Sequence, residues 1–235
     1  MKLTRNRTIA SVLVALVGTS IFATPSQALE RYISVSATGT VKVTPDTVRV
    51  NATVAMVASA NADALSGAST SATKLRTALT ANGVESKYVK STTLSVFPEY
   101  NYTADKGSTL VGYRASQSFE IILRNAKNAG TVVDAIVAAV GNTLTIDGVT
   151  PFVYDNTSAT NAARVDAVKR AKAKAASYAK LLGVKLGKVT YLEESGSNSP
   201  YPVVMAMAKS DAGATQIDLG QQDVTISVNT RWGIA

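Results

Sequence analysis

An α+β fold is predicted, a mostly antiparallel sheet covered by about three helices in the element order ββαββαβαββ. Three observations carry it: extended stretches in which apolar and polar residues alternate, three stretches where apolar residues recur every third or fourth position, and turn residues separating strands in pairs. No Pro/Ser/Gly-rich linker divides the chain after residue 28, so 29–235 reads as one domain with a long loop at 195–216.

Residues 32–43 place Ile33, Val35, Ala37, Val41 and Val43 on one face and Ser34, Ser36, Thr38, Thr40 and Lys42 on the other, the pattern of a half-buried strand. After the turn at Pro45-Asp46, Val48, Val50, Ala52, Val54 and Met56 alternate with Arg49, Asn51 and Thr53, and the two strands are expected to form a hairpin. From Ser59 the period lengthens. Leu65, Ala68, Ala72, Leu75 and Leu79 predict an amphipathic helix that stops at Asn82-Gly83. A second extended pair covers 87–102, with Leu94, Val96, Tyr100 and Tyr102 on one face, and 110–124, turned at Asp105-Lys106-Gly107. A helix over 127–140 presents Val132, Val133, Ile136, Val137 and Val140 and ends at Gly141-Asn142; the strand that follows, 144–154, holds Gly148 and Pro151, which mark a bulge or an edge.

The longest helix, 158–182, has Asn156, Thr157 or Ser158 as its N-cap and Gly183 as its C-cap. Its expected buried stripe is Val165, Val168, Ala171, Ala175, Ala179 and Leu182. Strands 184–193 and 223–232 close the domain. The run helix, Gly-Val, strand occurs twice, at Asn82-Gly83-Val84 and Leu182-Gly183-Val184, and suggests an internal strand–helix–strand duplication.

Composition excludes whole classes of chemistry. With no Cys there is no disulfide, thiol nucleophile, iron–sulfur cluster or Cys-based zinc site, and with no His there is no His-dependent triad, His-ligated haem or two-histidine zinc helix. The first 28 residues read as a secretory signal peptide: Lys2, Arg5 and Arg7 precede an apolar run from Ile9 to Ala23, too short to span a bilayer, and Ser26-Gln27-Ala28 offers small residues for cleavage after Ala28. The net charge is +8, and losing the three basic residues of the leader leaves +5. No second long apolar run follows, so no transmembrane span is expected after cleavage, and the mature chain is expected in the periplasm or secreted.

Several motifs in order point to one family. Ile33-Ser34-Val35-Ser36-Ala37-Thr38-Gly39 leads to Val43-Thr44-Pro45-Asp46; Gly112-Tyr113-Arg114-Ala115-Ser116-Gln117 lies centrally; an Ala-rich helix from Ala163-Arg164 through Lys174-Ala175 ends in Leu182-Gly183-Val184. This succession, spanning roughly 32–232, resembles the SIMPL-domain family (domain of unknown function 541), which includes bacterial periplasmic immunogenic proteins. The resemblance implies an exported, often oligomeric protein associated with envelope or oxidative stress, and it brings no catalytic residues.

The candidate chemistry is sparse. Ser71-Ala72-Thr73-Lys74 has the S-x-x-K spacing that puts a hydroxyl and an amine one helical turn apart, but no S-D-N or K-T-G element accompanies it, and no G-x-S-x-G elbow or phosphate loop is present. A metal could use oxygen ligands only, and the only adjacent acidic pair is Glu193-Glu194; neither a metal nor a cofactor is expected. The third helix carries Arg164, Lys169, Arg170, Lys172, Lys174 and Lys180, spread around its surface, which suits solvent or anionic lipid headgroups and gives no nucleic-acid groove. Tyr100 and Tyr102 flank the tip of a hairpin, where they either dock on a partner or continue the core face of the strand. In the long loop, Val203, Val204, Met205 and Met207 belong to an apolar hexad that would be a liability if exposed and is expected to pack against a neighbouring subunit.

These readings converge on a non-enzymatic, self-associating envelope protein. A small-molecule or glycan binding module in the cleft between sheet and helices is the alternative, and a hydrolase using Ser71 and Lys74 a third. Deleting 203–208 is expected to lower the mass of the assembly in solution, and an unchanged mass by light scattering would remove that segment from the interface.

Overall fold

The computed structural model describes residues 31–105, 107–202 and 215–235. The first two strands, β1 (Tyr32–Val43) and β2 (Thr47–Ala58), alternate as their sequences require. They do not form the expected hairpin. β1 pairs antiparallel with β7 (Gln222–Ile234), from Tyr32 opposite Gly233 to Val43 opposite Gln222. β2 instead enters a second sheet between β4 (Gly107–Leu123) and β5 (Leu144–Phe152). The link between them is pinned at Asp46, whose carbonyl accepts from the Ala126 N–H (3.0 Å) and whose Oδ1 accepts from the Tyr154 N–H (3.0 Å) and the Thr47 hydroxyl (2.9 Å). Alternation shows which face of a strand is buried and carries no information about its partner.

With β3 (Val89–Thr103) and β6 (Leu186–Pro202), the sheets are ordered β3-β4-β2-β5 and β1-β7-β6, and every pairing is antiparallel. Helices α1 (Asn61–Ala81) and α2 (Ala129–Val140) cover the larger sheet and α3 (Thr157–Leu181) the smaller, which gives two hydrophobic cores. The suggested duplication extends further than the motif did. Strand, helix, strand, strand run as β2–α1–β3–β4 in one sheet and β1–α3–β6–β7 in the other, and in both the last strand lies between the other two. The two helices also end identically: Val84 donates to Leu79 (3.0 Å) and Gly83 to Thr80 (3.0 Å), while Val184 donates to Ala179 (3.0 Å) and Gly183 to Lys180 (3.2 Å). Gly83 and Gly183 sit at φ 76° and 68°, the left-handed region that such a stop needs.

The stripe of α3 differs from expectation. Ala159, Ala163, Ala167, Ala171, Ala175 and Ala179 are buried, whereas Val165 and Leu182 are 69% and 64% exposed. An alanine row at every fourth position lets helix and sheet approach until their backbones touch: a Cβ at Gly39 of β1 would lie 2.1 Å from the Ala163 carbonyl oxygen and 2.4 Å from the Ala167 nitrogen. Valine or leucine in that row would hold the helix away, so the larger apolar residues face outward. A smaller shift of the same kind puts Ala64 in the core of α1 and leaves Leu65 partly exposed. The start of α3 is bonded by Asp155, whose Oδ1 accepts from the Thr157 N–H (2.9 Å), while Asn156 occupies the N-cap without a side-chain bond.

On β5, Gly148 and Pro151 mark both features expected of them: the strand is an edge, and its register with β2 shifts between Asn51 and Ala52. The expected loop at 195–216 is strand at its beginning, because β7 offers a ladder as far as Gln222 and β6 follows it to Pro202. Residues 203–214, with Val203, Val204, Met205 and Met207, lie outside the described residues. From Thr215 the chain runs along α2, where the Thr215 N–H (2.9 Å) and hydroxyl (2.5 Å) donate to Asp134, and Ile217 and Leu219 pack on the larger core.

Two expectations follow. Gly39→Ala must push α3 off the sheet and is expected to cost about 3 kcal/mol or more of unfolding free energy, measurable by urea denaturation. The two bonds from Thr215 hold the Asp134 carboxyl below the usual carboxylate range, so its contribution is present above its unfolded pKa and is lost as pH falls through the lower folded value. Asp134→Asn should therefore lower Tm at pH 7, and the gap from the parent should close between about pH 5 and pH 2.

Candidate functional site

Where β2 ends, the larger sheet narrows to two strands. Ala58 is opposite Tyr113, and beyond it only β3 and β4 continue to pair, from Glu99 opposite Gly112 to Thr103 opposite Gly107. The root of this ribbon is fixed in two ways. Gly112 packs on β2 so closely that a Cβ would lie 2.5 Å from the Ala58 carbonyl oxygen. Arg114 donates to Glu99 at 2.6 Å, and that bond raises the guanidinium pKa further.

The pleat places Tyr100, Tyr102 and Leu110 on the side that carries Val96, Tyr113 and helix α1, with Tyr100 directly opposite Leu110. Helix α1 starts only at Asn61, and its Ala64 and Ala68 cover Ala115, Val96 and Tyr113. The ribbon runs past the end of that cover. Tyr100, Tyr102 and Leu110 are 58%, 78% and 52% exposed. Of the two readings of the tyrosines, the geometry matches the continued core face, and among the described residues that face is left more exposed than covered.

Strand edges are a second open feature. Among the described residues β1 pairs with β7 alone, and its other edge meets one side-chain donor, Lys174, which bonds the Ser36 carbonyl at 3.2 Å. A lysine on an edge is a common device against unwanted pairing.

The remaining candidates are dispersed. Ser71 is buried and accepts a bond from the Thr143 hydroxyl (3.0 Å), whereas Lys74 is exposed on α1, and no hydrogen bond joins the two. Glu194 takes a bidentate bond from Arg164 (2.6 and 2.8 Å), which lowers its pKa, and Glu193 accepts from the Tyr191 hydroxyl (2.9 Å). Among the described residues no group of three or more acidic side chains could hold a metal ion. Of the cations of α3, Arg164, Arg170 and Lys174 bond within the chain, to Glu194, Asp166 and the Ser36 carbonyl. No helix among the described residues is long and apolar enough to cross a membrane.

One cluster has no announcement in the sequence. At the opposite end of the larger sheet, the Arg124 guanidinium lies 3.4 Å from the centre of the Tyr154 ring and 6.0 Å from that of Tyr88, and these two rings meet edge to face at 6.5 Å. Phe152 lies 6.5 Å from Tyr154 with Arg49 over its face at 4.9 Å. Apart from Phe152 and Tyr154, which are two residues apart, the members come from separate parts of the chain, and no local spacing links them.

Residues 33–232 match the model of the SIMPL family, described as proteins of unknown function (DUF541). The 26 kDa periplasmic immunogenic proteins of Brucella melitensis and Brucella abortus are each 30% identical over 209 residues, covering 84% of this chain and 82% of theirs. The uncharacterized protein YggE of Edwardsiella ictaluri is 28% identical over 228 residues, 93% of each chain. The motifs, the antiparallel α+β architecture and the match over most of its length agree: this chain belongs to the SIMPL family.

Proposed function

We propose that the protein is exported to the periplasm, that cleavage after Ala28 leaves a single working domain of 29–235, and that it acts by contact with further copies of itself and not by catalysis. The leader pattern and the periplasmic names of the Brucella relatives support the location. The absence of Cys and His removes the thiol nucleophile and the usual neutral-pH proton shuttle, which supports binding over turnover. The family resemblance supplies envelope or oxidative-stress defence as the setting.

The observation that carries the self-association is the ribbon. Tyr100, Tyr102 and Leu110 extend an apolar core face past its covering helix, and two tyrosines of low side-chain entropy are well suited to contact. A second copy is the occupant that fits best, because each copy brings the same uncovered apolar face, and two such faces can meet across a two-fold axis.

Size-exclusion chromatography with light scattering on the mature chain is expected to give a mass above that of one copy. Tyr100→Ser combined with Tyr102→Ser and Leu110→Ser should reduce that mass without lowering Tm, since all three side chains are more exposed than buried. A monomeric parent at high concentration, or an unchanged mass for the triple variant, overturns the assignment.

A further inference from the structure

A cleft of about 370 Å³ opens at the end of the larger sheet away from the ribbon, between the loop after α1, the end of β4 and the start of α2. That volume lies within the range that holds small ligands. Its lining combines apolar and polar groups: Val84 and Val132 come from the core beneath, Tyr88, Arg124, Asn125 and Asn128 supply aromatic, cationic and amide character, and Glu85 adds one carboxylate.

The charge balance is what makes the cleft specific. The lining carboxylate, Glu85, is neutralised by Lys87 at 2.8 Å, and the nearby Arg49 is paired with Glu120 at 3.4 Å. Arg124 has no carboxylate partner among the described residues; its guanidinium is laid on the Tyr154 ring instead. Stacking occupies the face of a guanidinium and leaves its N–H edge for an acceptor in the plane. The cleft therefore offers a single uncommitted positive charge, in the planar fork geometry that matches one carboxylate bidentately. A phosphate dianion would find one cation only. The amides add a second kind of recognition. Asn128 occupies the N-cap of α2 but makes no capping bond, and Asn125 uses its oxygen on the Lys127 N–H (3.1 Å), which leaves its NH₂ group available.

We propose that this cleft binds a small monocarboxylate with a short apolar body, either the free C-terminus of a peptide or a free carboxylic acid. Arg124 takes the carboxylate, Val84 and Val132 receive the apolar body, and Asn125 and Asn128 meet any adjoining amide. Because the cleft and the ribbon are at opposite ends of the sheet, this reading stands or fails independently of self-association, which is read by mass.

Isothermal titration of the mature protein with acetyl-Ala-Ala, with its C-terminal amide and with isobutyrate tests it. Saturable binding of the acid is expected, with the amide weaker by about tenfold or more. Arg124→Gln should weaken acid binding by a similar factor, with its fold checked by circular dichroism. Should that variant fail to fold, Asn128→Trp, which changes an exposed side chain at the mouth, should block the cleft and abolish binding. Tighter binding of acetyl-Ala-Ala than of isobutyrate assigns the site to peptide termini, and the reverse assigns it to free acids. Equal affinity for acid and amide, no binding by either acid, or full binding in either folded variant overturns the proposal.

Discussion

The hydrogen bonding at Asp46 is the constraint on which the arrangement of this molecule rests. One residue gives its carbonyl to Ala126, just before α2, and one carboxylate oxygen to Tyr154, just before α3, while also holding the first residue of β2. Three chain segments far apart in sequence are thereby tied to the point where β1 hands over to β2. The tie fixes the point at which the two strands part into separate sheets. Tyr154, held by that bond through its backbone, is also the ring on which Arg124 lies, so the same residue that divides the sheets positions the cation of the cleft.

The two βαββ halves share a path and differ in how they pack. Helix α1 covers its sheet with Leu75 and Leu79 as well as alanines, and Met56 of β2 packs against Gly67 of the helix. In the other half the small residue is on the strand, Gly39, and the helix offers only alanine. Each buried alanine contributes little transfer free energy, so the contact depends on close approach and on many backbone dispersion contacts. Alanine also favours the helix itself, which suits a 25-residue element that has just one sheet to rest on.

Much of this was legible in the sequence. The alternation in 32–43 and 47–58, the Gly-Val stops of α1 and α3, and the hairpin of β3 and β4 were all set by local chemistry. What was not legible required knowledge of a neighbour. The partner of β1 lies almost two hundred residues away; the burial of Ala163 and Ala167 in place of Val165 follows from Gly39; the strand at 195–202 exists because β7 is there to pair with it. The tyrosine pair was visible as a pair, and its exposure depends on where α1 begins. Arg124, Tyr88 and Tyr154 gave no signal, since a cation–aromatic cluster built from three elements has no period or spacing to detect.

The pairing of Tyr32 with Gly233 has a consequence for biosynthesis. One βαββ half is contiguous in the chain, whereas the other is split around it, its opening strand made early and its helix and closing strands made last. As the polypeptide emerges N-terminus first, the contiguous half can complete both pairings among its three strands, β3 with β4 and β4 with β2, while β1 waits for the remainder of the chain to deliver β7. Closing so long a loop is entropically costly and slow. The opening strand is thus the segment of this protein most exposed to capture by a chaperone, or to mispairing with a neighbouring nascent chain, before its own C-terminus arrives.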